Sequence, residues 1–360
     1  MTIIGATTIG APRFDDQARS YDALLFLSFG GPEGEADVIP FLENVTTGRN
    51  VPRERLLEVA EHYLHFGGVS PINAQNRALI AALEAELAIN GPRLPMYFGN
   101  RNWHPFVTDT IRRMRADGIQ RALVFVTSAF SSYSGCRQYR EDVVEALNTL
   151  GDGGPIFDKI RVFYNHPGFI EPMIESTQAA LNQIPAERRS SAEIVFTAHS
   201  IPLAMSRQSA YVPQLREAAR LIASAIGAAN YRLAYQSRSG SPRVPWLEPD
   251  ILEELTALKA SGSSDVVVVP LGFISDHMEV LFDLDYEAMD HAAELGITMV
   301  RAATVGTHPA FVRMIRELIL ERMSPNPARL AIGRRGPNHD ICPLGCCLLG
   351  TPIATAPQPA

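Results

Sequence analysis

The chain has 360 residues, 46% of them hydrophobic and 20% charged, a composition that excludes wholesale disorder and a length that allows two compact lobes with real cores. A formal charge of −7 argues against a nucleic-acid partner and against binding to anionic lipid, both of which need a basic surface. Met1–Ser20 lacks the basic-then-apolar layout of a signal peptide, and no run approaches about 18 apolar residues, so a cytoplasmic protein is expected. Four cysteines in such a protein are expected to be free, catalytic or metal-bound rather than disulfide-paired.

Short apolar runs alternate with longer amphipathic ones along the whole chain. Ala23–Phe29 reads as a buried strand, followed by helices at Glu35–Val45, Pro52–His65 and Asn73–Ala88. A strand at Met96–Gly99, a helix at Pro105–Ala116, a strand at Arg121–Thr127 and a helix at Arg137–Leu150 come next. A strand at Ile160–Tyr164 and a helix at Phe169–Ile184 complete the first half. The second half repeats the scheme: strands at Ile194–Thr197, Leu233–Tyr235, Val266–Pro270 and Thr298–Arg301, with helices at Val212–Ile226, Pro249–Ala260, His277–Glu294 and Pro309–Arg322. Alternation of this kind implies βαβ units and parallel sheets.

Three local patterns recur in the same order. Ala129-Phe130-Ser131-Ser132 is echoed by Gly272-Phe273-Ile274-Ser275, and His166-Pro167-Gly168-Phe169 by His308-Pro309-Ala310-Phe311. Arg101 follows its strand as Arg238 follows a later one. The expected fold class is therefore α/β, with two similar Rossmann-like lobes, each a parallel sheet flanked by helices, and a cleft between them. Residues 1–20 read as an N-terminal extension, 21–188 as the first lobe, 189–323 as the second, and 324–360 as a C-terminal extension carrying three of the four cysteines. Ligands of parallel sheets bind beyond the carboxyl ends of the strands, which directs attention to the loops there and to the cleft.

Two constellations carry the chemistry. In Phe196-Thr197-Ala198-His199-Ser200-Ile201-Pro202, a histidine stands at the carboxyl end of a strand, where imidazole can bind a metal or exchange protons. It can equally be a histidine hydrogen-bonded into its loop. In the segment from Ser275 to Glu287, Asp276, Glu279, Asp283 and Glu287 form one helical stripe. Stacked carboxylates repel unless protons or cations intervene, so the stripe is either a cation or proton path or a solvated acidic face. Gly30-Gly31-Pro32 and Phe66-Gly67-Gly68-Val69-Ser70-Pro71 suit tight turns or close ligand approach, and neither is a phosphate cradle. No GxSxG elbow supports a hydrolase. Cys136 opens a helix, a setting that suits a metal ligand as well as an acidic thiol.

These pieces together resemble the ferrochelatases over nearly the whole chain. The resemblance rests on Ser28-Phe29-Gly30-Gly31-Pro32, His65-Phe66-Gly67-Gly68-Val69-Ser70-Pro71, Phe98-Gly99-Asn100-Arg101, the His199 motif, Tyr235-Gln236-Ser237-Arg238, Trp246-Leu247-Glu248-Pro249 and the acidic helix around Glu279. It is strongest to the actinobacterial branch that converts coproporphyrin III to coprohaem. The resemblance implies that His199 and Glu279 bind Fe²⁺ across the cleft, that Asp283 assists from the same helix, and that Ser70 and Tyr139 contact porphyrin carboxylates. Phe29 stands where some relatives present a tyrosine to the product iron, so no axial oxygen is expected there, and a basic contact near Arg49 is the weakest expectation. The resemblance also implies that Cys136, Cys342, Cys346 and Cys347 hold one [2Fe–2S] cluster, with Gly345 permitting the sharp turn that adjacent ligands need; a four-cysteine zinc site and four unligated thiols are the competing readings. Coproporphyrin III and ferrous iron are then the expected partners of a monomeric protein, without nucleic acid or membrane insertion. Other divalent metals, protoporphyrin IX, and a non-catalytic tetrapyrrole carrier are the alternatives.

Overall fold

The computed structural model describes residues 13–48, 51–241 and 243–351. Two four-stranded, all-parallel sheets carry the fold. The first joins β1 (Ala23–Ser28), β2 (Met96–Asn100), β3 (Arg121–Val126) and β4 (Ile156–Lys159) in the order β2-β1-β3-β4. The second joins β5 (Glu193–His199), β6 (Tyr231–Gln236), β7 (Asp265–Val269) and β8 (Thr298–Arg301) in the order β6-β5-β7-β8. The two orders match strand for strand, as the repeated patterns lead one to expect. Register is set by Ala23 opposite Ala122 in the first sheet and Glu193 opposite Val266 in the second. Every residue of β1 and of β7 is buried, because helices cover both faces; such strands read as unbroken apolar runs rather than as alternation.

One core runs through both halves. Phe26, Phe125, Phe163 and Phe169 from the first meet Phe196, Val267 and Phe311 from the second. The two echoed His-Pro motifs form the junction. His166 and His308 each cap their helix, accepting at Nδ1 from the amides of Gly168 (3.1 Å) and Ala310 (3.2 Å). The helices Pro167–Leu181 and Pro309–Met323 then cross so closely that a Cβ on Gly168 would lie 2.7 Å from the Ala310 carbonyl oxygen. After Met323 the described chain forms no further helix or strand.

Two elements differ from the sequence expectation. The fourth strand is Ile156–Lys159, not Ile160–Tyr164. It is an edge strand whose Ile156 is exposed, whereas the apolar run after it leaves the sheet and fills the shared core. The helix expected over His277–Glu294 is divided: one α-helical turn at Met278–Val280, π-helix over Leu281–Ala288, then α-helix again to Glu294. A short helix at Leu203–Arg207 also follows the His199 loop, where the sequence had suggested none.

Candidate functional site

His199 is the last residue of β5, and Ser200 leaves the strand by donating its amide to the Gln236 carbonyl at 2.8 Å. Pro202 and the bridge from it to Trp246 then turn the chain away, so the imidazole stays at the sheet's carboxyl edge. Nδ1 lies against the Ser200 carbonyl, which aims Nε2 at Glu279; Nε2 and Oε1 are 3.6 Å apart, an ion pair rather than a hydrogen bond. Glu279 is fixed by the turn it sits in, its amide donating to His277 Nδ1 at 3.2 Å. Burial works to discharge His199, but the Glu279 charge and the contacts to Glu279 and Ser200 outweigh it and raise the imidazole to about 9. For Glu279 burial acts upward, and the facing imidazole more than reverses it, to about 2. At neutral pH the pair is imidazolium and carboxylate, with both side chains still partly open to solvent.

Asp283 lies one turn further, where the π-helix holds it beside the same strand ends. It accepts from Ser237 Oγ and, at 3.4 Å, from Gln236 Nε2, which also donates to the Glu279 carbonyl at 2.8 Å. Burial, and then the neighbouring Glu279 charge, push Asp283 up to about 7 against the Ser237 bond. A proton can therefore come and go at Asp283 near neutrality while Glu279 remains charged. The π-helix changes the expected stripe: Glu279 and Asp283 stay adjacent, but Asp276 lies before the helix and is engaged by Arg301 (3.3 Å) and Thr304 (3.1 Å). It is a structural carboxylate. Glu287, at the far end, is shifted upward by burial.

The other expected site residues come from the first half. The Phe29 ring is partly exposed, and the Arg101 guanidinium lies over both it (6.0 Å) and Tyr139 (5.9 Å) while pairing with Asp142 at 3.2 Å. Burial raises Asp142 to about 6 despite that pairing. Tyr139 is nearly buried beside this cation, and burial shifts its phenol upward. Ser70 is also nearly buried, its amide donating to the Pro32 carbonyl at 2.9 Å and its side chain packed so closely on Gly31 that no Cβ fits there. Arg49 lies outside the described residues. Tyr63 was not legible as a site residue; burial and then the charges of Glu279 and Asp283 raise its phenol. Two residues along the same helix, His62 stacks on Phe282 at 3.8 Å and His65 meets Tyr286 at 4.4 Å, so the two halves touch beside the acidic pair.

The four cysteines converge elsewhere. Cys136 is buried at the end of the π-turn Tyr133–Arg137, and the tail returns to it. The sulfurs of Cys346 and Cys347 are 3.5 Å apart, that of Cys342 lies within 4.8 Å of Cys346, and Cys136 is close enough to act electrostatically on Cys342 and Cys347. The thiolate is favoured at Cys342 by these neighbours, and Cys346 is pushed up to about 12 chiefly by its nearness to Cys342. Gly345 does not supply the turn: the left-handed residue is Cys347, at φ 55°. His339, which the sequence did not single out, brings Nε2 to 3.6 Å from Cys346 Sγ, and its ligand atom and those of Cys342 and Cys346 all lie within 4.8 Å of one another, close enough to share a metal ion. Among the described residues the cysteines are all free of disulfides. Four converging sulfurs with a buried, unpartnered Arg140 Nη1 nearby fit an anionic metal–thiolate centre. No helix among the described residues is long and apolar enough to cross a membrane.

Comparison with known proteins gives the family and the fold. The ferrochelatase family model matches residues 21–323. A ferrochelatase of Rhodopirellula baltica is 54% identical over 329 residues, covering 91% of this chain and 93% of its own. A coproporphyrin III ferrochelatase of Streptomyces griseus is 51% identical over 362 residues, covering 94% and 95%. Among solved structures, SirB from Bacillus subtilis with Fe³⁺ superposes with a TM-score of 0.50 at 14% identity, over 83% of this chain and 96% of that one, which is a likeness of fold. With two matching parallel sheets, a histidine–carboxylate pair at the strand ends, and relatives covering nearly all of its length, the chain belongs to the ferrochelatase family.

Proposed function

We propose that the protein inserts Fe²⁺ into coproporphyrin III to give coprohaem, with release of two protons, acting as a cytoplasmic monomer in haem biosynthesis. The observation that carries this reading is the His199–Glu279 ion pair, 3.6 Å apart at the carboxyl end of β5. The names of relatives at 51% identity over nearly the full chain support the choice of porphyrin.

The residues account for the steps in order. Before iron arrives, Glu279 holds a proton on His199. A divalent cation drawn to Glu279 would cancel the charge that retains this proton, and Asp283, titrating at about 7 and electrostatically coupled to His199, would pass it outward. Neutral imidazole can then take the two pyrrole protons one after the other, each passed to Asp283 and out to solvent before the next, while the Glu279 carboxylate would hold the ion without the grip of a thiolate. Two N–H protons leave and one Fe²⁺ enters, so the charge of the ring is unchanged. Ser70, Tyr139 and the Arg101 cation would meet carboxylates of the bound macrocycle, whose four propionates distinguish coproporphyrin from protoporphyrin with two.

Cys136, Cys342, Cys346 and Cys347 would hold one [2Fe–2S] cluster, which supplies a one-electron couple and a tie between tail and first lobe. A zinc ion in the same four sulfurs, or with His339 replacing one, is the second reading, favoured by the His339 contact. Anaerobic mixing of the purified protein with Fe²⁺ and either porphyrin, followed by porphyrin absorbance, tests the activity. Faster metallation of protoporphyrin IX at low porphyrin concentration would overturn the substrate assignment.

A further inference from the structure

We propose that Lys159 and Arg140 are the counter-charges of the four-cysteine centre, and that they set both its assembly and the potential at which it accepts an electron. The inference rests on the cluster reading above. Lys159 ends β4, an edge strand where lysine ordinarily reaches into solvent; here its ammonium is partly buried, donates to the Ile160 carbonyl at 3.0 Å, and lies within electrostatic reach of Cys136, Cys342 and Cys347. Arg140, one turn beyond Cys136 on the same helix, is partly buried within electrostatic reach of Cys342, Cys136 and Cys346, with Nη1 buried and unpartnered. A third cation has a separate task. Arg137 gives one hydrogen bond each to the carbonyls of Leu344 (2.9 Å) and Cys346 (3.2 Å), and its charge is met by Glu141 at 2.7 Å. Among the described residues no carboxylate lies within ion-pair distance of Lys159 or Arg140. Two partly buried cations thus stand beside the sulfurs without an acid of their own.

The charges are those a cluster needs. Two ferric ions and two sulfides carry two positive charges, and four thiolates bring the whole to two negative, which the two cations neutralise. One-electron reduction, as by dithionite, adds a third negative charge at the same place. Nearby cations favour that reduced state, and the partly buried setting strengthens the effect. A four-thiolate zinc site has the same net charge, so the cations do not choose between the metals; colour and sulfide content do.

The test uses the full chain purified without oxygen, as wild type, Lys159→Gln, Arg140→Gln, the double variant, and the conservative Lys159→Arg and Arg140→Lys. Iron and sulfide are counted, the dithionite-reduced spectrum is recorded, and the potential is titrated with mediator dyes. We expect each glutamine variant to shift the potential to more negative values and to lose cluster faster in air. The double variant should do so more strongly, and the conservative variants should restore wild-type behaviour. Circular dichroism and thermal melting separate cluster loss from unfolding, and a double variant that is unfolded leaves the singles and their conservative partners to decide. A wild type that holds the cluster alongside glutamine variants of unchanged potential and unchanged retention would overturn the inference while leaving the cluster reading intact. A wild-type protein that is colourless and holds zinc would overturn the cluster reading, and this inference with it.

Discussion

His199 Nε2 and Glu279 Oε1 lie 3.6 Å apart, although one residue ends a strand and the other begins a helical turn after a different strand of the same sheet. Each holds the other charged, the imidazole at about 9 and the carboxylate at about 2. Glu279→Gln keeps the volume and removes the charge. His199 should then titrate well below 9, as read by NMR, and kcat/KM for metal insertion should fall at least tenfold, about 1.4 kcal/mol of barrier. Unchanged kcat/KM would make the acidic turn a solvated surface.

Asp283 titrates at about 7 because of burial and the Glu279 charge. Its raised value means that it is protonated, and unable to accept, below that pH. The rate of metal insertion should therefore climb as pH rises through about 7, and Asp283→Asn should lower the rate less than Glu279→Gln while flattening this climb. A pH–rate profile with the same limb in both proteins would remove Asp283 from the proton path.

A stability effect belongs to His166, buried and held neutral. Burial, then the Arg161 charge, lower its value to about 3; Glu317, 3.6 Å away, is itself raised by burial and does not reverse this. Since the unfolded chain takes up this proton near 6.5 and the folded one does not until about 3, the contribution is fully present above 6.5. It is lost as pH falls across that window, by about 1.4 kcal/mol per unit of pH at most. His166→Asn keeps a helix-capping side chain. Urea midpoints of this variant should change less between pH 7 and pH 5 than those of wild type; an equal change in both would assign the acid sensitivity elsewhere.

At the junction of the halves, Gly168→Val places a branched side chain against the Ala310 carbonyl and Met314. A Cβ at 2.7 Å from a backbone oxygen forces the helices Pro167–Leu181 and Pro309–Met323 apart, at a cost of about 1–3 kcal/mol. Denaturant midpoints measure it. A midpoint equal to wild type would mean that the two helices slide without penalty.

The sheets were legible because β1 and β7 are buried on both faces and so appear as apolar runs, and because the echoed motifs announced two halves. His199 and Glu279 were legible as residue types at strand ends, and their meeting was not, since it depends on the strand order β6-β5-β7-β8. The fourth strand was misplaced because burial follows the shared core at Ile160–Tyr164 while the hydrogen-bonded edge is at the more polar Ile156–Lys159. The π-helix leaves no periodic mark over only eight residues, and Tyr63 looked like any partly buried helix residue. His339 is joined to the other cysteines by the tail's path, and Lys159 by the pairing of β4 with β3, neither of which a local pattern encodes; Arg140 lies one helical turn from Cys136, but nothing in the sequence marked it.

The most direct measurement is anaerobic turnover of Fe²⁺ with coproporphyrin III by wild type and His199→Ala, followed by loss of the metal-free porphyrin bands and by the mass of the product. The account predicts iron coproporphyrin from wild type and, from a folded His199→Ala that still quenches on porphyrin binding, less than about a tenth of that rate, a barrier at least about 1.4 kcal/mol higher. No insertion by wild type, or a variant that keeps more than that fraction, would contradict it.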